Sequence, residues 1–116
     1  MSFMDTALIA VPADKKEEYL QHARRAAPLF KANGAIRVIE SWGDDVPDGK
    51  NTSMPLAVQK KDDEIVVCSV IEWPDKKTRD EAMPKVMEAM RTEMTAPMPF
   101  DGGRMIFGGF SIILDV

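Results

Sequence analysis

The chain holds one cysteine, Cys68, and one histidine, His22. A lone thiol excludes an internal disulfide and fits a protein kept reduced in the cytoplasm. One imidazole and one thiol build no His/Cys metal cage. Asp44, Asp45 and Asp48 miss the Asp-x-Asp-x-Asp-Gly spacing of an EF-hand and read as a solvated acidic turn, so no metal is expected. No apolar run reaches the ~20 residues of a membrane-spanning helix. The opening Met1-Ser2-Phe3-Met4-Asp5 lacks the basic stretch and apolar core of a signal peptide. Aromatic residues make up 7% of the chain and the formal net charge is -4. Neither nucleic acid nor an anionic membrane is therefore an expected partner. The glycines of Gly102–Gly109 lack phosphate-loop spacing, no Gly-x-Ser-x-Gly elbow occurs, and no cofactor is implied.

What the chain does have is strands that are apolar on both faces. In Glu64–Trp73, Ile65, Val67 and Ile71 alternate with Val66, Cys68 and Val70. Arg104–Val116 repeats this, with Met105, Phe107 and Ile113 opposite Ile106, Phe110, Ile112 and Leu114. Successive strand side chains point to opposite faces, so such a sheet needs cover on two sides. Two long helical segments cover one face. A second copy of the chain is the simplest cover for the other.

At 116 residues the chain is one domain, 1–116, without internal repeats. Phe3–Val11 reads as a strand ended by Pro12. Asp14 and Glu17 have the spacing of a capping-box variant, and Tyr19/Leu20, Ala23, Ala26/Ala27 and Phe30 form one apolar helix face. Asn33-Gly34 supplies a left-handed stop. Ala35–Trp42 is the second strand, Gly43–Asn51 a loop, and Met54–Lys60 a short strand in a hairpin with Glu64–Trp73. A second helix opens at Pro74-Asp75 and carries Met83, Val86, Met87, Met90 and Met94 on one stripe. Pro28 and Pro84 are expected to bend or break their helices. Gly108-Gly109 marks a bulge or a close backbone approach in the last strand. The order β-α-β-(β)β-α-β is an α+β, ferredoxin-like arrangement with an antiparallel sheet.

Chemistry-bearing residues are few. His22 at the edge of its helix stripe reads as a boundary histidine, Cys68 as an inert core thiol, and the methionine stripe as core filler. Asp5, Arg37, Glu40, Ser41, Ser69, Glu72, Arg104 and Ser111 stand out as polar residues inside apolar strands. Such groups need partners or a wet cavity. Two readings are open: ion pairs at strand ends or an interface, and a polar patch of Asp5, Glu40, Trp42, Ser69 and Arg104 within a cavity.

A set of segments carries a family resemblance: Ala10–Lys16, Ala26-Ala27-Pro28-Leu29-Phe30-Lys31, Gly34–Arg37, Asp45-Val46-Pro47-Asp48-Gly49-Lys50, Met98-Pro99-Phe100-Asp101-Gly102, Arg104–Ile106 and Gly108-Gly109-Phe110. Over nearly its whole length the chain resembles the YbaA-like bacterial domain of unknown function. The resemblance implies a dimeric α/β barrel whose two sheets pack face to face. Fold relatives include cofactor-independent monooxygenases, isomerases, haem-dependent enzymes and ligand-sensing domains. The family has no established activity and assigns no catalytic residue.

The expected function is that of a cytoplasmic homodimer binding a small organic molecule in a barrel cavity, with or without turnover. The alternative is an interaction module whose barrel is filled by side chains and takes no ligand. Two long connections, Gly43–Asn51 and Pro99–Arg104, meet strand ends where function commonly sits. This places Asp5, Glu40, Trp42, Asp101 and Arg104 around the mouth of a ligand pocket. Arg104 would clamp an anionic or carbonyl group, Trp42 would supply a flat wall, and Glu40 or Asp5 would be the base. In the competing account Arg104 pairs with Asp101 or a nearby acid and pins the loop.

Overall fold

The computed structural model describes residues 1–116. Its elements are β1 (Phe3–Pro12), α1 (Lys16–Ala32), β2 (Arg37–Trp42), α2 (Met54–Ala57), β3 (Glu64–Trp73), α3 (Lys76–Glu93) and β4 (Ile106–Ser111). Single 3-10 turns, Ala13–Lys15 and Gly102–Arg104, precede α1 and β4. The strands form one antiparallel sheet in the order β2-β3-β1-β4, as the ferredoxin-like reading requires. Helix α1 links central β1 to edge β2, and α3 links central β3 to edge β4.

Local chemistry explains most of these boundaries. Asp75 caps α3 by accepting from the Thr78 amide at 2.7 Å. Helix α1 stops at Asn33-Gly34, where Gly34 takes φ +110. A Cβ at Gly34 would also lie 2.7 Å from the Thr78 methyl, so glycine lets the end of α1 approach the start of α3. Neither Pro28 nor Pro84 breaks its helix: α1 and α3 run through them without interruption. The Asp14/Glu17 box is not used, because Asp14 lies in the 3-10 turn and the α1 cap residue, Lys15, makes no side-chain capping bond.

The expected strand at Met54–Lys60 is instead a helical turn, α2. Ser53 accepts from the Leu56 amide at 3.1 Å, and Pro55 stands in the first turn, where its fixed φ fits. Gln59 closes the turn in the left-handed region, φ 50, while the Lys60 amide bonds back to the Pro55 carbonyl. The alternation of Met54, Leu56 and Val58 imitated a strand, but the Ser-x-Pro start outweighed it. Strand β4 is also shorter than the expected Arg104–Val116. Its register with β1 runs unbroken from Phe3↔Ser111 to Leu8↔Ile106, so the glycine pair makes no bulge. It allows a close approach: a Cβ on Gly109 would lie 2.6 Å from the Phe3 ring.

Register fixes the two faces. The rows Asp5–Ile71–Val38, Ala7–Ser69–Glu40 and Ile9–Val67–Trp42 lie on one face. That face packs beneath the helices. Phe3 and Trp73 meet Ala26, Phe30, Ala82 and Val86, and Ile9, Val11 and Val67 meet Tyr19. On the other face, Ala10 and Val66 are covered by Val58 from the α2 turn, with Val46 from the loop beside them. The remainder of that face is open. Phe110, paired to Met4 and 52% exposed, and Ile106, paired to Leu8 and 41% exposed, lie on it. Only 17 of 116 residues are buried, which is what a sheet lacking one of its two covers leaves. Phe107 pairs with Ala7 and so projects to the helix side, beyond the helices and 77% exposed.

Candidate functional site

Four carboxylates rise from the sheet, and their partners separate them. Asp5 on β1 is held by Arg79 of α3, through Nη2 at 2.7 Å and Nε at 3.0 Å, and by the Trp73 indole N–H at 2.9 Å. Glu64 at the start of β3 is only 5% exposed. It takes Arg104 Nη1 and Nη2 on its two oxygens, both at 2.7 Å, and the Lys61 amide at 2.7 Å. Glu72, at the far end of β3, pairs with the exposed Arg37 at 2.8 Å. Each of these three carboxylates has an arginine.

Glu40 does not. Its two oxygens accept from hydroxyls: Tyr19 of α1 donates to Oε1, and Ser69 of β3 donates to Oε2 at 2.7 Å. No lysine or arginine lies within ion-pair distance. Ser69 is there because it is the direct cross-strand partner of Glu40. Tyr19 is there because it stands on the buried face of α1 above that row. Burial raises the Tyr19 phenol, and the adjacent carboxylate raises it further, so it stays a donor throughout the physiological range.

Aromatic groups surround the cluster. The Phe100 ring lies 5.8 Å from Tyr19 and 5.8 Å from His22, the latter edge-on at 88°. Trp42 is two residues from Glu40 on the same face and carries the Lys16 ammonium 5.5 Å over its ring. His22, three positions from Tyr19 on α1, is held below its ordinary 6.5 by burial; Glu40 opposes that shift and Arg25 adds to it. The row through Glu40 continues to Ser69 and Ala7, a floor of short side chains, and ends at the open Phe107. Glu40 and the two hydroxyls form one hydrogen-bonded cluster, and His22 stands beside it against the Phe100 ring.

The five expected site residues therefore divide. Glu40 and Trp42 are together on the helix face. Asp5 shares that face but sits in its own Arg79–Trp73 pocket. Asp101 and Arg104 belong to a separate clasp. Arg104 donates to Asp101 at 3.0 Å, to the Gln59 carbonyl at 2.9 Å and to both oxygens of Glu64, whose side chain is on the opposite face from Glu40. That bidentate pair pulls the Glu64 carboxyl down to about 2. With three nitrogens already bonded in the chain, Arg104 holds the loop, as the competing account has it.

In the sequence Tyr19 reads as part of an apolar helix face and His22 as a boundary residue, while Phe100 is given no role of its own. One signal was available: Tyr19 is the only tyrosine, it falls on an apolar helix face, and a buried phenol needs an acceptor. Two hollows lie elsewhere. One of about 400 Å³ is bounded by Met4, Arg37, Glu72, Phe110 and the tail Ser111–Asp115. Another of about 190 Å³ lies between Gly43–Val46 and Pro55, Lys60 and Ile65. Neither includes any of the five expected residues.

Comparison with known proteins places the chain. It is 51% identical over 116 residues to the uncharacterized protein YbaA of Escherichia coli (strain K12), covering 99% of each chain. Its fold is similar to that of a dimeric ferredoxin-like protein from an uncultured marine organism, with TM-score 0.64, 11% identity and coverage of 99% and 98%. It is also similar to a variant of MhuD with two manganese protoporphyrin IX molecules bound per active site (TM-score 0.56, 15% identity, coverage 98% and 97%). A third likeness is to a variant of SnoaB, a cofactor-independent oxygenase from Streptomyces nogalater (TM-score 0.51, 16% identity, coverage 99% and 96%). At those identities the structures share the fold alone, the α+β ferredoxin-like fold expected from the strand and helix pattern. The model of DUF1428, described as a protein of unknown function, matches residues 2–102, and with the YbaA identity it establishes that the chain belongs to that family.

Proposed function

We propose that the protein is a cytoplasmic homodimer that binds a small organic molecule at the Glu40 cluster, with Glu40 as the candidate base. The observation that carries this reading is the partner set of Glu40: two neutral hydroxyls and no cation. A part-buried carboxylate without a countercharge costs stability, and such costs concentrate where function requires them. A carboxylate without a countercharge repels anions, so the molecule is neutral or cationic, and the rings of Trp42 and Phe100 suit an apolar or aromatic body. This differs from the expectation of an anionic or carbonyl group held by Arg104, whose donors bond Glu64, Asp101 and the Gln59 carbonyl.

The dimer reading rests on the open sheet face, with Phe110 and Ile106 exposed along it. Dimeric proteins of this fold support the same arrangement. Covering that face should bury on the order of 2,000 Å² in total. A side-chain-filled module without ligand is favoured by a different observation: no buried polar side-chain atom lacks a partner.

The two readings separate in a thermal-shift screen of neutral, cationic and anionic organic compounds. Binding predicts stabilising hits among the neutral and cationic sets that vanish in Glu40→Gln. An absence of hits supports the filled module, and hits indifferent to Glu40→Gln reject the Glu40 site. Sedimentation velocity at low micromolar concentration should show a dimer. A monomer there contradicts the assembly.

A further inference from the structure

We propose that Asp101, Arg104 and Glu64 form a clasp that positions Phe100 as the closing wall of the Glu40 cluster. They act through Phe100 and not on the bound molecule. This rests on the reading of Glu40 as the functional carboxylate.

The cluster's other members stand on regular elements: Tyr19 and His22 on α1, Glu40 on β2, Ser69 on β3. Phe100 alone comes from irregular chain. Residues 95–100 are in no helix or strand, and no hydrogen bond within the chain holds any of them. The Phe100 ring nevertheless sits 5.8 Å from both Tyr19 and His22. What fixes it begins one residue later. Asp101 accepts from the Gly103 amide at 2.9 Å and from Arg104 Nε at 3.0 Å. Arg104 then grips both oxygens of Glu64, the first residue of the central strand β3, and the Gln59 carbonyl. The segment thus straddles the end of the sheet. Phe100 and Met105 pack on the helix face, while the guanidinium between them is anchored to a side chain of the other face. A segment tied at one end by a charged clasp and free of hydrogen bonds beyond it is well suited to swing. Release of the clasp would uncover His22 and Glu40, and its closure would exclude water from them.

The sole histidine makes this testable without any ligand. On the full chain, one imidazole resonance reports the His22 titration by NMR, and diethyl pyrocarbonate reports its accessibility. The groups facing His22 are Glu40 from β2, Arg25 from its own helix α1, and Phe100. Phe100→Ala and Asp101→Ala should both move the His22 titration up toward 6.5. They should also speed carbethoxylation about tenfold, the equivalent of about 1.4 kcal/mol of opening free energy. Arg79→Lys, which weakens the Arg79–Asp5 pair on the same sheet face, should leave both readouts unchanged. Asp101 is exposed, so Asp101→Ala carries the test even if Arg104 variants fail to fold. Unchanged titration and rate in Asp101→Ala overturn the clasp, whatever Phe100→Ala does, because the Phe100 ring touches His22 directly. So does an equal response in Arg79→Lys. Because neither readout uses a bound molecule, a failed ligand screen with the His22 responses intact rejects the Glu40 site and leaves the clasp standing.

Discussion

Glu40 and Glu64 sit on the same sheet, five residues apart in β3 register terms, since Ser69 is the partner of Glu40. Both carboxylates have both oxygens hydrogen-bonded. Glu64 is gripped by a guanidinium, and its affinity for a proton falls to about 2 as a result. Glu40 is held by a phenol and an alcohol, which orient it without neutralising it. The difference separates two jobs. A charge–charge clasp makes a carboxylate structural and spends its capacity to react. Neutral donors aim a carboxylate without giving it a countercharge.

The largest expected effect comes from breaking the clasp. Arg104→Met leaves a nearly inaccessible carboxylate without its cation, and its urea midpoint should fall further than that of any variant around Glu40. Adding Glu64→Gln should restore part of the loss, because the uncompensated charge is then gone. Failure of the second change to rescue would mean that packing by Arg104, and not charge, sets its worth.

Acid sharpens the same contrast. The folded value of Glu64, about 2, lies below its ordinary 4.5. Its contribution is therefore complete above pH 4.5, declines as pH falls through that window, and is gone below about 2. Asp101 shifts the same way, chiefly through Arg104. Chemical denaturation at successive pH values should show wild-type stability falling across this window and a flatter curve for Glu64→Gln. Parallel curves would contradict the assignment.

Tyr19→Phe removes one donor from Glu40 and should cost about 1.5–3 kcal/mol in urea denaturation, the range for a hydrogen bond to a charged acceptor. Ser69→Ala acts on the other oxygen and should not add to it simply, since the two changes share a partner. A smaller gain is expected from Gln59→Gly in the clasp. Its φ of 50 strains any residue with a Cβ, so glycine should raise stability by roughly 1 kcal/mol or less. A loss would show that the Gln59 side chain contributes more than its backbone costs.

Much of this was legible in the chain because it is local. Two-faced alternation found β1 and β3, β-branched residues found β2, Asn33-Gly34 ended α1, and Pro74-Asp75 opened α3. Glu40 and Trp42, two apart, were bound to share a face, and Asp101 and Arg104, three apart, to meet in a turn. The misreadings arose where a local pattern had two solutions. Met54, Leu56 and Val58 alternate like a strand, yet Ser53 and Pro55 start a helix. The partners that decide each carboxylate's role were hidden for another reason. Arg79 lies 74 positions from Asp5, Arg104 lies 40 from Glu64, and Tyr19 lies 21 from Glu40. No spacing rule spans those distances; register and helix packing bring the pairs together. A two-faced strand also withholds which face the helices take, so Phe107 and Phe110 could be assigned only from the fold.

The most direct measurement of the central claim is the equilibrium stability of Glu40→Gln beside Glu64→Gln, by urea denaturation at pH 7. If Glu64 is structural and Glu40 functional, Glu64→Gln loses stability clearly, while Glu40→Gln is neutral or more stable than wild type, because a part-buried charge without a cation has been removed. Equal losses in the two variants, or a larger one in Glu40→Gln, would contradict the account and make Glu40 one more structural acid of the sheet.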